Sequence, residues 1–348
     1  MSVRDLLMAA AQPPQQAPQA ASLAVAYSQS PNLAAYAWSA SGFGSRFADP
    51  GTATPTAGYT VNFSPDGAFV VVSHSAIPYI SVFPWSASGF GTKFADPGTL
   101  PIGAGWGGAF SPNQQFVAVA QATSPYISVY PWSSGGFGTR VTNPGTLPTG
   151  TGWGLAFSPD GAFIAVSHDN SPYVSVYPWS AGGFGTKVSN PAALPAGHGY
   201  GVAFSPDSAF IAVGHATSPF ISVYPWSAGG FGSRFSNPGT LPASQANALA
   251  FSPDGAFIAV VHDSSPFISV YPWSAGGFGT KVANPGTLPA GGGYGVAFSP
   301  DSAFIAVAHG TSPYVSVYPW SAGGFGTKVA NPGTLLQAVA SGVAFGIL

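Results

Sequence analysis

The chain has 348 residues, of which 5% are charged and 46% hydrophobic, and its formal net charge is −2. That balance supplies no basic field to draw in nucleic acid. The absence of cysteine excludes disulfides, thiolate metal sites and a cysteine nucleophile.

In chain order, the first apolar stretch, Leu6 to Ala11, is shorter than a signal-peptide core or a membrane span. A soluble chain without signal peptide or membrane insertion is therefore expected. Ser2 and Asp5 have capping-box-like spacing, and Val3, Leu6, Leu7 and Ala10 fall on one stripe of a helix. So short a helix is unstable alone, so the stripe needs a partner surface. Val3, Arg4, Leu6, Leu7 and Met8 are the candidate docking residues. Residues 12–20 are rich in Pro and Gln and read as an extended spacer of about 3.1 Å per residue. The expected division is an arm and linker over 1–20 and a repeat domain over 21–348.

From there one unit recurs. Trp38, Trp85, Trp132, Trp179, Trp226, Trp273 and Trp320 stand 47 residues apart without insertion or deletion. A period of this length, holding several β-type runs, predicts a β-propeller. The density of Gly and Pro excludes a helical solenoid. Each unit divides into four antiparallel strands, here called a to d, exemplified by Tyr200 to Phe204, Phe163 to His168, Tyr173 to Trp179, and Phe184 to Val188. Ser158-Pro159-Asp160-Gly161 supplies the turn between a and b, and Asn190-Pro191 ends strand d. Residues 341–345 match strand a, whereas residues 21–27 match strand b. The two ends of the sequence are thus expected to share one blade of an all-β, seven-bladed propeller, leaving no open edge.

Three rings of equivalent positions carry what chemistry there is. Strand a opens with Tyr59, Trp106, Trp153, Tyr200 and Tyr294 in five units, and with Asn247 and Ser341 in the other two. Aromatics there suit stacking on sugar rings and equally suit packing between blades. Strand d carries one cation per unit, Arg46, Lys93, Arg140, Lys187, Arg234, Lys281 and Lys328. These read as a rim able to meet anions, or as charges that block edge-to-edge association. Strand b ends on Tyr27, His74, Gln121, His168, His215, His262 and His309. Equivalent atoms in adjacent blades lie far beyond metal–ligand distances of ~2 Å, so these histidines are expected to bond within their own blades or to the neighbouring loop. No metal or cofactor is expected. No catalytic constellation confined to one unit is evident, and a non-enzyme is expected.

The Phe-Ser-Pro-Asp-Gly turn, followed by an apolar strand and another ending in Trp, resembles the WD40 superfamily over residues 21–348. The Asp that follows the strand-c Trp in that family is Ser here, and a Gly-His pair before strand a appears once, as Gly197-His198. The leader Met-Ser-Val-Arg-Asp-Leu-Leu-Met-Ala-Ala-Ala and the repeated Tyr-Pro-Trp-Ser and Gly-Phe-Gly-Thr-Lys strings resemble bacteriophage tail-fibre and other virion structural proteins. That resemblance implies a virion appendage, made in the host cytoplasm. Its arm would dock to other virion proteins, and its propeller would present a surface to host glycans. The alternatives are a free lectin-like propeller and, more distantly, a propeller hydrolase or lactonase.

Overall fold

The computed structural model describes residues 21–347. The docking arm, Val3, Arg4, Leu6, Leu7 and Met8 included, and its linker lie outside the described residues. Seven four-stranded antiparallel sheets form the ring, and among the described residues there is no helix. Blade 1 joins strand a, Ala340–Gly346, to strands b, c and d at Ser22–Tyr27, Leu33–Ser39 and Gly42–Arg46. Ala24 faces Ala344 and Val25 faces Val343, so the two ends of the sequence pair as their patterns predict. Strands a of blades 2 to 7 are Gly58–Phe63, Gly105–Phe110, Gly152–Phe157, Gly199–Phe204, Ala246–Phe251 and Gly293–Phe298. These innermost strands surround the axis.

The 47-residue tryptophan period follows from packing between blades. In six blades the strand-c Trp stands edge-on to the Phe that opens strand b of the preceding blade. Trp132 meets Phe69 at 5.4 Å and 82°, and Trp320 meets Phe257 at 5.1 Å and 88°. Such pairs contribute about 0.5–1.5 kcal/mol each beyond the area they bury. Blade 1 opens strand b with Ser22, so Trp85 of blade 2 lacks that partner and keeps its contacts to Phe47 and Phe63, equivalent to those of Trp132 with Phe94 and Phe110. Strand-c tyrosines add a polar tie across the same seam. Tyr130 donates to Thr99 O at 2.8 Å, and Tyr36 closes the ring by donating to Thr334 O at 2.9 Å.

Strand d is shorter than its sequence suggests. In blade 4 the ladder spans Gly183–Phe184, not Phe184 to Val188. The cause lies in strand c, where Pro178 has no N–H to offer. Gly185 N–H still donates to Pro178 O at 2.8 Å, and the chain rejoins strand c only where Val188 N–H meets Val176 O at 2.9 Å. Between strands b and c every blade uses a turn with a cis X–Pro bond, from Ser30-Pro31 to Ser312-Pro313.

The turns between strands a and b alternate around the ring. The fourth turn residue is Gly67, Gly161 or Gly255 in blades 2, 4 and 6, with φ of 71–73°. In blades 3, 5 and 7 it is Gln114, Ser208 or Ser302, with φ of 57–59°. These three side chains clasp the preceding turn. Asp160 N–H donates to Ser208 Oγ at 3.1 Å and Asp254 N–H to Ser302 Oγ at 3.3 Å. With its amide nitrogen turned to Asp66, Gln114 donates to that carboxylate at 2.6 Å and accepts Asp66 N–H at 3.1 Å. Blades 2 and 3, 4 and 5, and 6 and 7 are therefore joined in pairs. Blade 1 instead lays Ile347 against Gly67, where an added Cβ would come within 2.4 Å of Ile347 O.

Candidate functional site at the channel mouth

The inner strands approach closely at their third positions, which are Gly in five of the seven blades. A Cβ on Gly154 would lie 2.6 Å from Tyr200 O, and one on Gly342 would lie 2.8 Å from Tyr59 O. Larger side chains are thereby forced to the neighbouring positions, which rim the axial channel. The channel holds a cavity of about 470 Å3, lined by all seven inner strands from their second residues onward. Tyr59, Trp106, Trp153, Tyr200 and Tyr294, the five aromatics singled out from the sequence, all line it.

The lining is not uniform around the axis. Four aromatics of consecutive blades form an arc, with ring centroids 4.2 Å apart for Tyr59 and Trp106, 4.5 Å for Trp106 and Trp153, and 5.7 Å for Trp153 and Tyr200. Beyond Tyr200 the character changes. Asn247 Nδ2 donates to Asp263 Oδ1 at 2.7 Å and to Gly293 O at 2.9 Å. Gln245 Nε2 donates to the other carboxylate oxygen of Asp263 at 2.8 Å. Two amides thus hold one exposed carboxylate in a fixed orientation beside the cavity. Tyr294, 40% exposed, stands on its far side. Burial, and secondarily the Asp263 carboxylate, raise the Tyr200 phenol above its ordinary value, so it remains a hydrogen-bond donor.

One unit departs from the regularity of the repeat. Blade 6 alone joins Gln245, Asn247 and Asp263. Asn247 is visible in the sequence as a departure from the aromatic ring, but Gln245 and Asp263 were missed. The available signals were the Gln-Ala-Asn string, where most units have a glycine before and after the aromatic, and an Asp that follows the strand-b His only at 169 and 263.

The other two rings are structural in their contacts. His74, His168, His215 and His262 are fully buried. Each Nδ1 lies 2.8 Å from the carbonyl two residues on, and each Nε2 lies 3.0–3.1 Å from a strand-c serine hydroxyl. A carbonyl only accepts, so Nδ1 carries the proton and Nε2 accepts from the serine. Gln121 reproduces both bonds, to Thr123 O and Ser128 Oγ. Of the strand-d cations, Arg46 and Lys93 pair with Asp49 and Asp96 three residues on. Lys187, Lys281 and Lys328 bond Asn190, Asn284 and Asn331 in the same way. Arg140 and Arg234 occupy the equivalent places, with Arg234 in a shallow hollow beside Ala192 and Ala193.

No family model matches the sequence, and comparison with curated proteins finds no relative. Solved structures do match. A periplasmic gluconolactonase from Pseudomonas aeruginosa superposes with a TM-score of 0.70 at 18% identity, covering 93% of this chain and 99% of that one. A Bacteroides fragilis protein described as a candidate 6-phosphogluconolactonase gives 0.69 at 15%, covering 96% and 99%. A Lactobacillus plantarum protein gives 0.72 at 17%, covering 94% and 99%. At these identities the likeness shows the fold, a seven-bladed β-propeller. The expectation of a phage virion appendage is corrected by these neighbours, which include lactonases and no tail-fibre or virion protein. The expectation of a non-enzyme is corrected with it, since lactonases are hydrolases.

Proposed function

We propose that the channel mouth binds a sugar-like ring and hydrolyses a sugar lactone. The observation that carries this reading is the arc from Tyr59 to Tyr200 sharing one cavity with Asn247, whose amide holds the exposed Asp263 carboxylate beside it. Tyr59, Trp106 and Trp153 cover part of one another's faces, and the aromatic surface they leave toward the channel can pack against the C–H faces of a pyranose-like ring, with Asp263 and Asn247 as partners for its hydroxyls. The cavity falls within the roughly 300–1,000 Å3 typical of small-molecule sites, and lactonases among the structural neighbours support the reaction class.

In this reading Asp263 takes a proton from water as hydroxide adds to the lactone carbonyl. The protonated Tyr200 phenol donates a hydrogen bond to the developing oxyanion. Collapse of the tetrahedral adduct breaks the ring C–O bond. The departing alkoxide then takes the proton back from Asp263, leaving an open hydroxy acid.

Acid release from glucono-1,5-lactone and from its 6-phosphate tests the proposal. Turnover above the spontaneous rate is expected on at least one of them. Asp263→Asn should lower kcat by about 10²–10⁴, while Trp106→Ala chiefly raises KM. Rates equal to spontaneous hydrolysis for the wild-type protein refute catalysis. Ring binding that persists without turnover would return the protein to the lectin-like alternative.

A further inference from the structure

We infer that the mouth selects uncharged lactones over phosphorylated ones and repels its own product, an inference that rests on the proposed lactone site. Among the described residues, none of those lining the cavity is a Lys or Arg. The charge placed at its edge is the Asp263 carboxylate, fixed by Gln245 and Asn247.

The seven Lys and Arg side chains among the described residues are remote from it. Arg46 lies in strand d, and the six equivalents follow directly on the strands d of their blades, at the outer edge. Strand d is separated from the inner strand by three interstrand steps, about 14 Å. That exceeds the screening length of about 8 Å at physiological salt. Five of them are also engaged by the residue three positions on. A phosphate bound over the aromatic arc would therefore meet a like charge near its end and, among the described residues, no Lys or Arg within reach.

The same asymmetry acts on the reaction. Its substrate is neutral, but opening the ring creates a carboxylate that ionises at neutral pH. Binding is thus favourable for the lactone and opposed for the hydroxy acid, in the same cavity and by the same Asp263.

Indole fluorescence of Trp106 and Trp153 provides the readout, with the unreactive neutral gluconolactam, gluconate and 6-phosphogluconate as probes at pH 7.5. The lactam is expected to bind at least about tenfold more tightly than either anion, a ratio within reach of one nearby like charge. Added salt and Asp263→Asn should both narrow the gap. Equal or tighter binding of 6-phosphogluconate overturns the selection, whether or not any lactone is hydrolysed. A preference for the lactam in a protein that hydrolyses nothing removes the catalytic reading and leaves the charge selection standing. No response to any probe removes both.

Discussion

At position 208 two small energies oppose each other. Ser208 holds φ at 57°, a left-handed conformation that costs a side-chain-bearing residue about 1 kcal/mol relative to Gly. Its hydroxyl accepts the N–H of Asp160 across the blade seam, a bond that contributes about 0.5–1.5 kcal/mol. Ser208→Gly removes both effects and should leave stability within about 0.5 kcal/mol of the parent. Ser208→Ala keeps the strain and loses the bond, and should cost about 1 kcal/mol. Urea midpoints check this: an Ala variant as stable as the parent would show that the clasp contributes nothing, and equal midpoints for the two variants would show that the backbone carries no strain. The five channel aromatics were legible in the sequence because one position repeats in register. Asp263 was not legible, because an Asp beside a turn is ordinarily a turn former, and only the folded ring brings it against Gln245 and Asn247. The histidines were readable in part. Their in-blade bonding follows from geometry, but the Ser partner seven residues away appears only once strands b and c are paired.

Blade 1 is the element on which ring closure turns. Its strand a buries Ala340, Val343, Ala344 and Phe345, and Phe345 packs edge-on to Trp38 at 5.3 Å. Removal of residues 341–348 would leave Ser22–Tyr27 with an unpaired edge and expose the apolar flank of blade 2. The truncated protein is expected to lose its sharp thermal transition and to bind a hydrophobic dye at room temperature. A melting temperature within a few degrees of the full chain would contradict the role assigned to this strand. The pairing was legible because each end of the sequence matches a different strand of the same unit. The shortening of strand d was not, since the β-type pattern of Phe184 to Val188 conceals the donor missing at Pro178 on the facing strand. The cis turns were likewise hidden, because a Ser-Pro pair reads alike for either isomer.

Across the whole molecule the buried histidines set the response to acid. Burial holds the imidazoles of His74, His168, His215 and His309 down at about 4 against an ordinary 6.5, with nearby strand-d cations acting in the same direction. His262 is lowered for the same reasons. The unfolded chain takes up protons near pH 6.5 and the folded chain near pH 4. Their contribution is therefore complete above pH 6.5 and is lost as the pH falls from 6.5 to 4. Each histidine accounts for up to about 1.4 kcal/mol per pH unit in that window. Urea midpoints at pH 7 and pH 5 should differ markedly. His168→Gln, which imitates Gln121, should preserve stability at pH 7 and flatten the slope. An unchanged slope would mean that the imidazole already titrates in the folded state. The clasped turns have a further consequence, one of parity. Units that alternate two by two tile an even ring without remainder, and this ring is odd. The leftover place falls on blade 1, where the two ends of the sequence meet, so one irregular wedge absorbs both the join and the mismatch and the other six keep strict alternation.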